Sequence, residues 1–155
     1  MIKYCKTLNR AWLNTILMTL IATLIAAVFV WQYSQGSVVS GKWRMYYSLI
    51  MMVAMVACLF FGNNMTAKTI RRLKDKELAE KLAGYKLAYH KRLRFFSLIG
   101  FLAVISMLLL SNMFYVLFAV LSLMLISVSR ISSIKVKYEL NLGENDIKQI
   151  DKMKF

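Results

Sequence analysis

Catalysis and metal binding need proton carriers, nucleophiles or ligands held close together, and in this chain such groups are few and spread apart. The seven acids are Asp75, Glu77 and Glu80 in a central polar stretch, and Glu139, Glu144, Asp146 and Asp151 near the C-terminal end. His90 is the single histidine; Cys5 and Cys58 are the two cysteines. No C-x-x-C, zinc-type spacing, Ser/His/Asp set or phosphate-cradling glycine loop is present. The expectation is therefore no catalytic site, no metal and no cofactor. One enzymatic alternative is a lipid-modifying activity using the carboxylates of Glu139, Glu144, Asp146 and Asp151. The cysteines read as free thiols, Cys5 in a reducing compartment and Cys58 among apolar groups.

The chemistry the chain does offer is electrostatic. It carries 21 Lys and Arg against 7 acids, a net charge of +14. Ten of the cations fall in residues 68–94: Lys68, Arg71, Arg72, Lys74, Lys76, Lys81, Lys86, Lys91, Arg92 and Arg94. Such a stretch beside a membrane attracts anionic phospholipid headgroups at about 1 kcal/mol per cation near the surface. The rival explanation is that the charge only orients the chain, because loops on the cytoplasmic side carry an excess of Lys and Arg. Tyr85 and Tyr89 among these cations could stack bases, but they fit a helical seam better, and nucleic acid is not expected.

The elements that must position this charge are hydrophobic. Apolar residues make up 59% of the chain, where soluble domains hold about 45–50%. Residues 11–33 are uncharged, and Trp12 and Trp31 bracket them. Nineteen residues of helix separate the two rings by about 28 Å, close to the ~30 Å hydrocarbon core. Residues 45–62 form a second uncharged stretch. Residues 95–129 are uncharged for 35 positions, too long for one straight span. Ser111-Asn112 is the polar pair near the middle, so a tight turn is expected there, with spans at 95–110 and 113–129; one span plus an in-plane segment is the alternative. Proline is absent, which removes the commonest cause of a sharp kink.

The reading is an all-α integral membrane protein: four transmembrane helices in two hairpins, joined by a basic amphipathic cytoplasmic bridge (63–94) and followed by a short cytoplasmic tail (130–155). The N-terminal arm, bridge and tail share one side and hold 19 of the 21 cations. That side is expected to be the cytoplasm of a bacterial inner membrane, with both termini inside.

Within the bridge, Leu78, Leu82, Tyr85, Tyr89 and Phe96 fall on one face of a 3.6-residue helix. The reading is a helix over 76–94, with Asp75 as cap, running directly into the third span. This seam, with Arg71, Arg72, Lys81, Lys91, Arg92 and Arg94, is the candidate docking surface for lipid or a protein partner. In the tail, Ile134, Val136, Tyr138 and Leu140 alternate with polar residues, an extended pattern; a turn near Asn141 and Gly143 and a short helix over 144–154 follow. The spans hold no ionisable side chain, which argues against ion-coupled or proton-coupled transport. Thr15, Thr19, Thr23 and Ala26 line one face of the first span, and Ser122 lies on a small face of the fourth; small faces suit helix packing. The functional expectation is a non-enzymatic interaction, scaffold or assembly subunit. A small oligomeric transporter or channel for a neutral or apolar solute is the alternative, as is a homo-oligomer.

Overall fold

A computed structural model describes residues 2–33, 39, 41–73 and 76–152. Among these are six α-helices and no strand. The helices α1 (Ile2–Tyr33), α2 (Lys42–Leu73) and α3 (Leu78–Leu110) have 32, 32 and 33 residues. A 3-10 turn at Met113–Tyr115 leads into α4 (Val116–Val128), and α5 (Ser133–Leu140) and α6 (Glu144–Lys152) follow.

Each long helix measures about 48–50 Å at 1.5 Å per residue, while a bilayer core is about 30 Å thick. The excess collects at one end. Uncharged residues fill the C-terminal part of α1, the N-terminal part of α2 and the C-terminal part of α3. The polar turns left over are the start of α1, the end of α2 and the start of α3, and the hairpin connections bring them together. Three helices are long and apolar enough to cross a membrane. The 3-10 turn with α4 meets α5 at a bend of 81°, so the count rises to four if that bent pair is one span. An all-α integral membrane protein is compatible with this arrangement.

α3 is the central helix. Half of its most apolar stretch is buried, against 22% and 17% for α1 and α2. It packs on α1, α2 and α4. Glycine lets the neighbours come close. A Cβ on Gly100 would stand 2.6 Å from Thr19 Cγ2 and 2.8 Å from Ser122 Oγ, so α1, α3 and α4 converge at this point. Ser122 also donates to the Phe96 carbonyl at 2.6 Å. Between α2 and α3, a Cβ on Gly62 would meet Phe95 at 2.8 Å, and one on Gly84 would meet Leu73 at 2.4 Å. Gly62 to Leu73 and Gly84 to Phe95 are both eleven residues, three turns of helix. Each helix thus presents one glycine and one bulky residue on a single stripe, and the two stripes mesh in antiparallel order.

The bridge is not a polar loop followed by a helix. Residues 63–73 continue α2, and α3 begins at Leu78 and runs unbroken into its apolar half. The segment is a helical hairpin whose two arms stay packed beyond the apolar region. Glu77 occupies the N-cap position of α3; Asp75, expected to cap it, lies outside the described residues, as do Lys74 and residues 153–155. The tail alternation forms a helix, α5, rather than an extended strand. Alternate residues also make i,i+4 pairs: Val136 and Leu140 are buried together while Ile134 and Tyr138 face outward. Ser132 caps the start by accepting the Lys135 amide, and Asn141 ends the helix in the left-handed region with φ 50°. At the opposite end of the molecule, Ser111 adopts φ 46° and Asn112 caps the 3-10 turn, so the chain reverses where the polar pair stands. Arg44 there donates to the Leu110 carbonyl at 3.2 Å, satisfying one of the free carbonyls at the end of α3.

Replacing Gly100 with Ala should lower stability by about 1–3 kcal/mol, the usual cost of overfilling a packed core. Gly143, whose added Cβ would sit 3.7 Å from Asp146, should tolerate Ala within about 0.5 kcal/mol. Thermal unfolding of both variants in detergent decides this; equal melting temperatures would mean that the three helices do not converge at Gly100.

Candidate functional site

The polar ends of α1, α2 and α3 join α5 and α6 to make a base with its own core. Tyr4, Cys5 and Leu8 of α1, Leu73 of α2, and Leu82, Tyr85, Tyr89 and Leu93 of α3 are buried there. Ile131, Val136, Leu140, Leu142 and Ile150 from the C-terminal part complete it. Long-range hydrogen bonds tie the pieces. Tyr4 donates to the Leu82 carbonyl at 2.7 Å. Tyr85 donates to Glu139 Oε2 at 2.6 Å. The Asn9 side chain pairs with Ile131 as a backbone would: its Nδ2 donates to the carbonyl at 3.0 Å and its Oδ1 accepts the amide at 3.2 Å. Trp12 Nε1 donates to the Ile126 carbonyl at 2.7 Å, in the last turn of α4, and the Arg130 guanidinium stacks over the Trp12 ring at 5.7 Å. Asn9 and Trp12 thereby hold the chain on either side of the α4–α5 bend.

The hydrophobic seam is therefore not a free docking face. Leu82, Tyr85 and Tyr89 are buried against the chain's own arm, α2 and tail, and Leu78 is half-buried. The seam closes an internal core because the α2 extension and the tail both fold back onto it. The cations divide differently. Arg71, Arg72, Lys91 and Arg94 are exposed, Lys81 is half-buried, and Arg92 is half-buried with its guanidinium 5.3 Å over the Phe96 ring. Thr19, Thr23, Ala26 and Ser122 are buried between helices, with Thr15 half-buried. Thr15, Thr19 and Thr23 each return their hydroxyl to the carbonyl four residues earlier, so each polar group is satisfied within its own helix.

Three clefts open at the junction of base and apolar helices, each edged by cations. One of about 380 Å³ lies between α1 and α3, with Thr15, His90, Arg94 and Ser97 in its wall. A second, about 490 Å³, is edged by Lys6, Arg10 and Arg130 around Trp12. A third, about 270 Å³, lies between α2, α3 and α5 and is lined by Asn63, Thr66, Arg71, Arg92 and Glu139. Among the described residues, Lys76 with Glu80 is the only ion pair, at 2.9 Å and exposed. The cations at the three clefts are thus not neutralised by direct ion pairs with described carboxylates.

Burial holds the Tyr85 phenol well above its ordinary range, and its bond to Glu139 adds to that. Burial lowers the His90 imidazole, with Lys86 and Arg94 pushing the same way. Among the described residues no three His, Cys, Asp or Glu side chains gather in a way that could hold a metal. Of the tail carboxylates, Glu139 takes the Tyr85 hydroxyl, and Asp146 takes the Gly143 amide at 2.9 Å. Glu139, Asn63 and Thr66 enter the third cleft without any local sequence signal, since they come from elements distant in the chain. No protein-family model matches the chain, and no curated protein or solved structure is similar to it.

Cys5 offers a direct probe of the base, because it is buried beside Tyr4. In a Cys58→Ala background, Tyr85→Phe should cost about 1.5–3 kcal/mol, the range for a hydrogen bond to a charged group, and should speed maleimide labelling of Cys5. An unchanged labelling rate would mean that the arm does not depend on the α3–α5 contact.

Proposed function

We propose that the protein is a non-enzymatic, multi-pass protein of a bacterial inner membrane. In this reading four helices cross the bilayer, the α4 region forming the fourth span, and both termini and the base lie in the cytoplasm. The base acts as an interaction and assembly platform for an anionic partner, either phospholipid headgroups or an acidic face of another protein. The supporting observation is the pairing of a self-packed base with an outer surface of cations that form no ion pair among the described residues: Arg71, Arg72, Lys91 and Arg94 stand exposed beside the buried Leu73, Leu82, Tyr85 and Tyr89 of the same helices. A charge run that served only to orient the chain would not need a folded base beneath it.

The faces of α1 and α2 support the membrane part of this reading. Leu17, Met18, Ile21, Leu24 and Ile25 of α1 and Ile50, Val53, Val56, Phe60 and Phe61 of α2 are exposed. A soluble monomer rarely shows apolar patches of that extent, and lipid is the natural cover. A transporter draws less support, because Ala103, Ser106, Met107, Ala119 and Ser122 are buried between the helices and the cavity beside Gly100, between α1 and α3, measures about 100 Å³.

Purification in mild detergent, with identification of copurifying proteins and lipids, tests the proposal. Changing Arg72, Lys91 and Arg94 together to Gln should reduce enrichment of the partner or anionic lipid at least about tenfold, given about 1 kcal/mol for each cation near the surface. A chain that purifies alone, with lipid at bulk composition and no response to the triple change, would refute it. Reporter fusions at the two ends check the orientation; an external signal from either end would overturn it.

A further inference from the structure

The third cleft has a floor of polar groups that the chain itself leaves unsatisfied. Tyr89 is only 5% exposed, yet its hydroxyl has no hydrogen-bond partner among the described residues; the Nε of Arg92 is also buried and unpartnered. Buried polar groups are nearly always paired, so two residues with unpartnered groups that line one void mark a place that receives an acceptor. Both line a void of about 10 Å³, which shares Thr66, Ile70, Arg92 and Glu139 with the 270 Å³ cleft outside it. Lys135 also lines the void and Arg71 the cleft. Three cations thus face one carboxylate, and that carboxylate already accepts the Tyr85 hydroxyl.

The depth is as informative as the charge. The continuous apolar run of α2 ends at Phe61, ahead of Asn63 and Asn64, and the uncharged part of α3 begins at Phe95. Thr66 lies five residues beyond Phe61 and Arg92 three before Phe95, which is about 7 Å and 5 Å along a helix. The headgroup layer occupies about 5–7 Å on each side of the hydrocarbon core. The cleft therefore sits at the level of lipid phosphates. Burial, against the smaller pull of Arg92, keeps the Tyr89 phenol above its ordinary range, so the hydroxyl stays a donor. Burial likewise holds the Lys135 ammonium below its own range, against the opposing pull of Glu139 and with Arg92 adding to the lowering.

We propose that the cleft between α2, α3 and α5 binds one phosphate group, with Arg92, Tyr89 and Lys135 donating from the floor and Arg71 from the rim. The depth favours the phosphodiester of an anionic phospholipid in the adjacent leaflet; soluble phosphate is the other source of the same chemistry. This rests on the reading that the base faces the headgroup layer. The second cleft has as many cations, but its walls offer no buried donor without a partner among the described residues.

The test uses the full chain in nanodiscs of phosphatidylcholine, with and without phosphatidylglycerol, and native mass spectrometry to count retained lipid. Inorganic phosphate added to the phosphatidylcholine discs, followed by the melting temperature, probes the soluble source. One phosphatidylglycerol should be retained per chain. Arg92→Gln should weaken retention about tenfold or more, and Tyr89→Phe and Arg71→Gln about threefold to tenfold, as hydrogen bonds to charged groups imply. Arg72→Gln, outside the cleft, should change it by less than about twofold, in the range of an exposed surface charge. Stabilisation by inorganic phosphate that Arg92→Gln removes, without lipid retention, would support the site and assign it to a soluble anion.

Failure of both probes, or equal retention by the folded Arg71→Gln, Tyr89→Phe and Arg92→Gln variants, would overturn the proposal. Arg71→Gln alters only an exposed side chain, so a misfolded floor variant does not decide the matter. Loss of partner enrichment on changing Arg72, Lys91 and Arg94, with the cleft variants silent, would sink this site and leave the broader reading standing; the reverse pattern would do the opposite.

Discussion

Close backbone approach to α3 is the interaction on which the rest depends. Lipid gives helices no hydrophobic reason to associate, so their contact must come from dispersion and from hydrogen bonds at short range. Gly62, Gly84 and Gly100 remove side chains where the backbones cross, and Ser122 uses the resulting proximity to reach the Phe96 carbonyl. The base inherits this arrangement. Because α2 and α3 mesh along one stripe, their polar ends leave the apolar region already paired, and α1 and the tail have a fixed surface to close upon.

Much of this was legible in the sequence. The long uncharged stretches mark the apolar parts of α1, α2 and α3, the Ser111-Asn112 pair marks the reversal, and the Leu78 to Phe96 seam marks a helix that continues into the apolar region. The extension of α2 through residues 63–73 was hidden, because its cations make it look like a solvated linker; the apolar Ile70 and Leu73 are too few to signal a helix alone. The tail misled for a geometric reason: residues two apart include pairs four apart, so Val136 with Leu140 serves a helix as well as a strand. The seam was visible but not what covers it. Tyr85 meets Glu139 and Tyr4 meets Leu82 across 54 and 78 residues, and pairings that distant leave no local pattern.

The clefts show the same division. That the polar end would be basic follows from counting charges. That Arg92 would be half-buried near a Tyr89 hydroxyl with no partner among the described residues, while Arg72 stands in solvent, depends on which faces of α2 and α3 meet each other and α5. Two arginines that look equivalent in a charge run thus have different electrostatic standing, one partly shielded from water and the other screened by salt.

The pairing of Asn9 with Ile131 spans 122 residues. During synthesis Asn9 is made before Ile131, with the apolar parts of α1 to α4 made between them. The tail therefore reaches the base only after α1, α2 and α3 have been made, and it completes a cover that α1 and α2 begin. A chain arrested before residue 131 would lack Val136, Leu140, Leu142 and Ile150 of the base core and leave Tyr85 without Glu139, an incompletely covered surface of the kind that chaperones and proteases act upon. Closure by the tail thus completes the cover over the α3 seam.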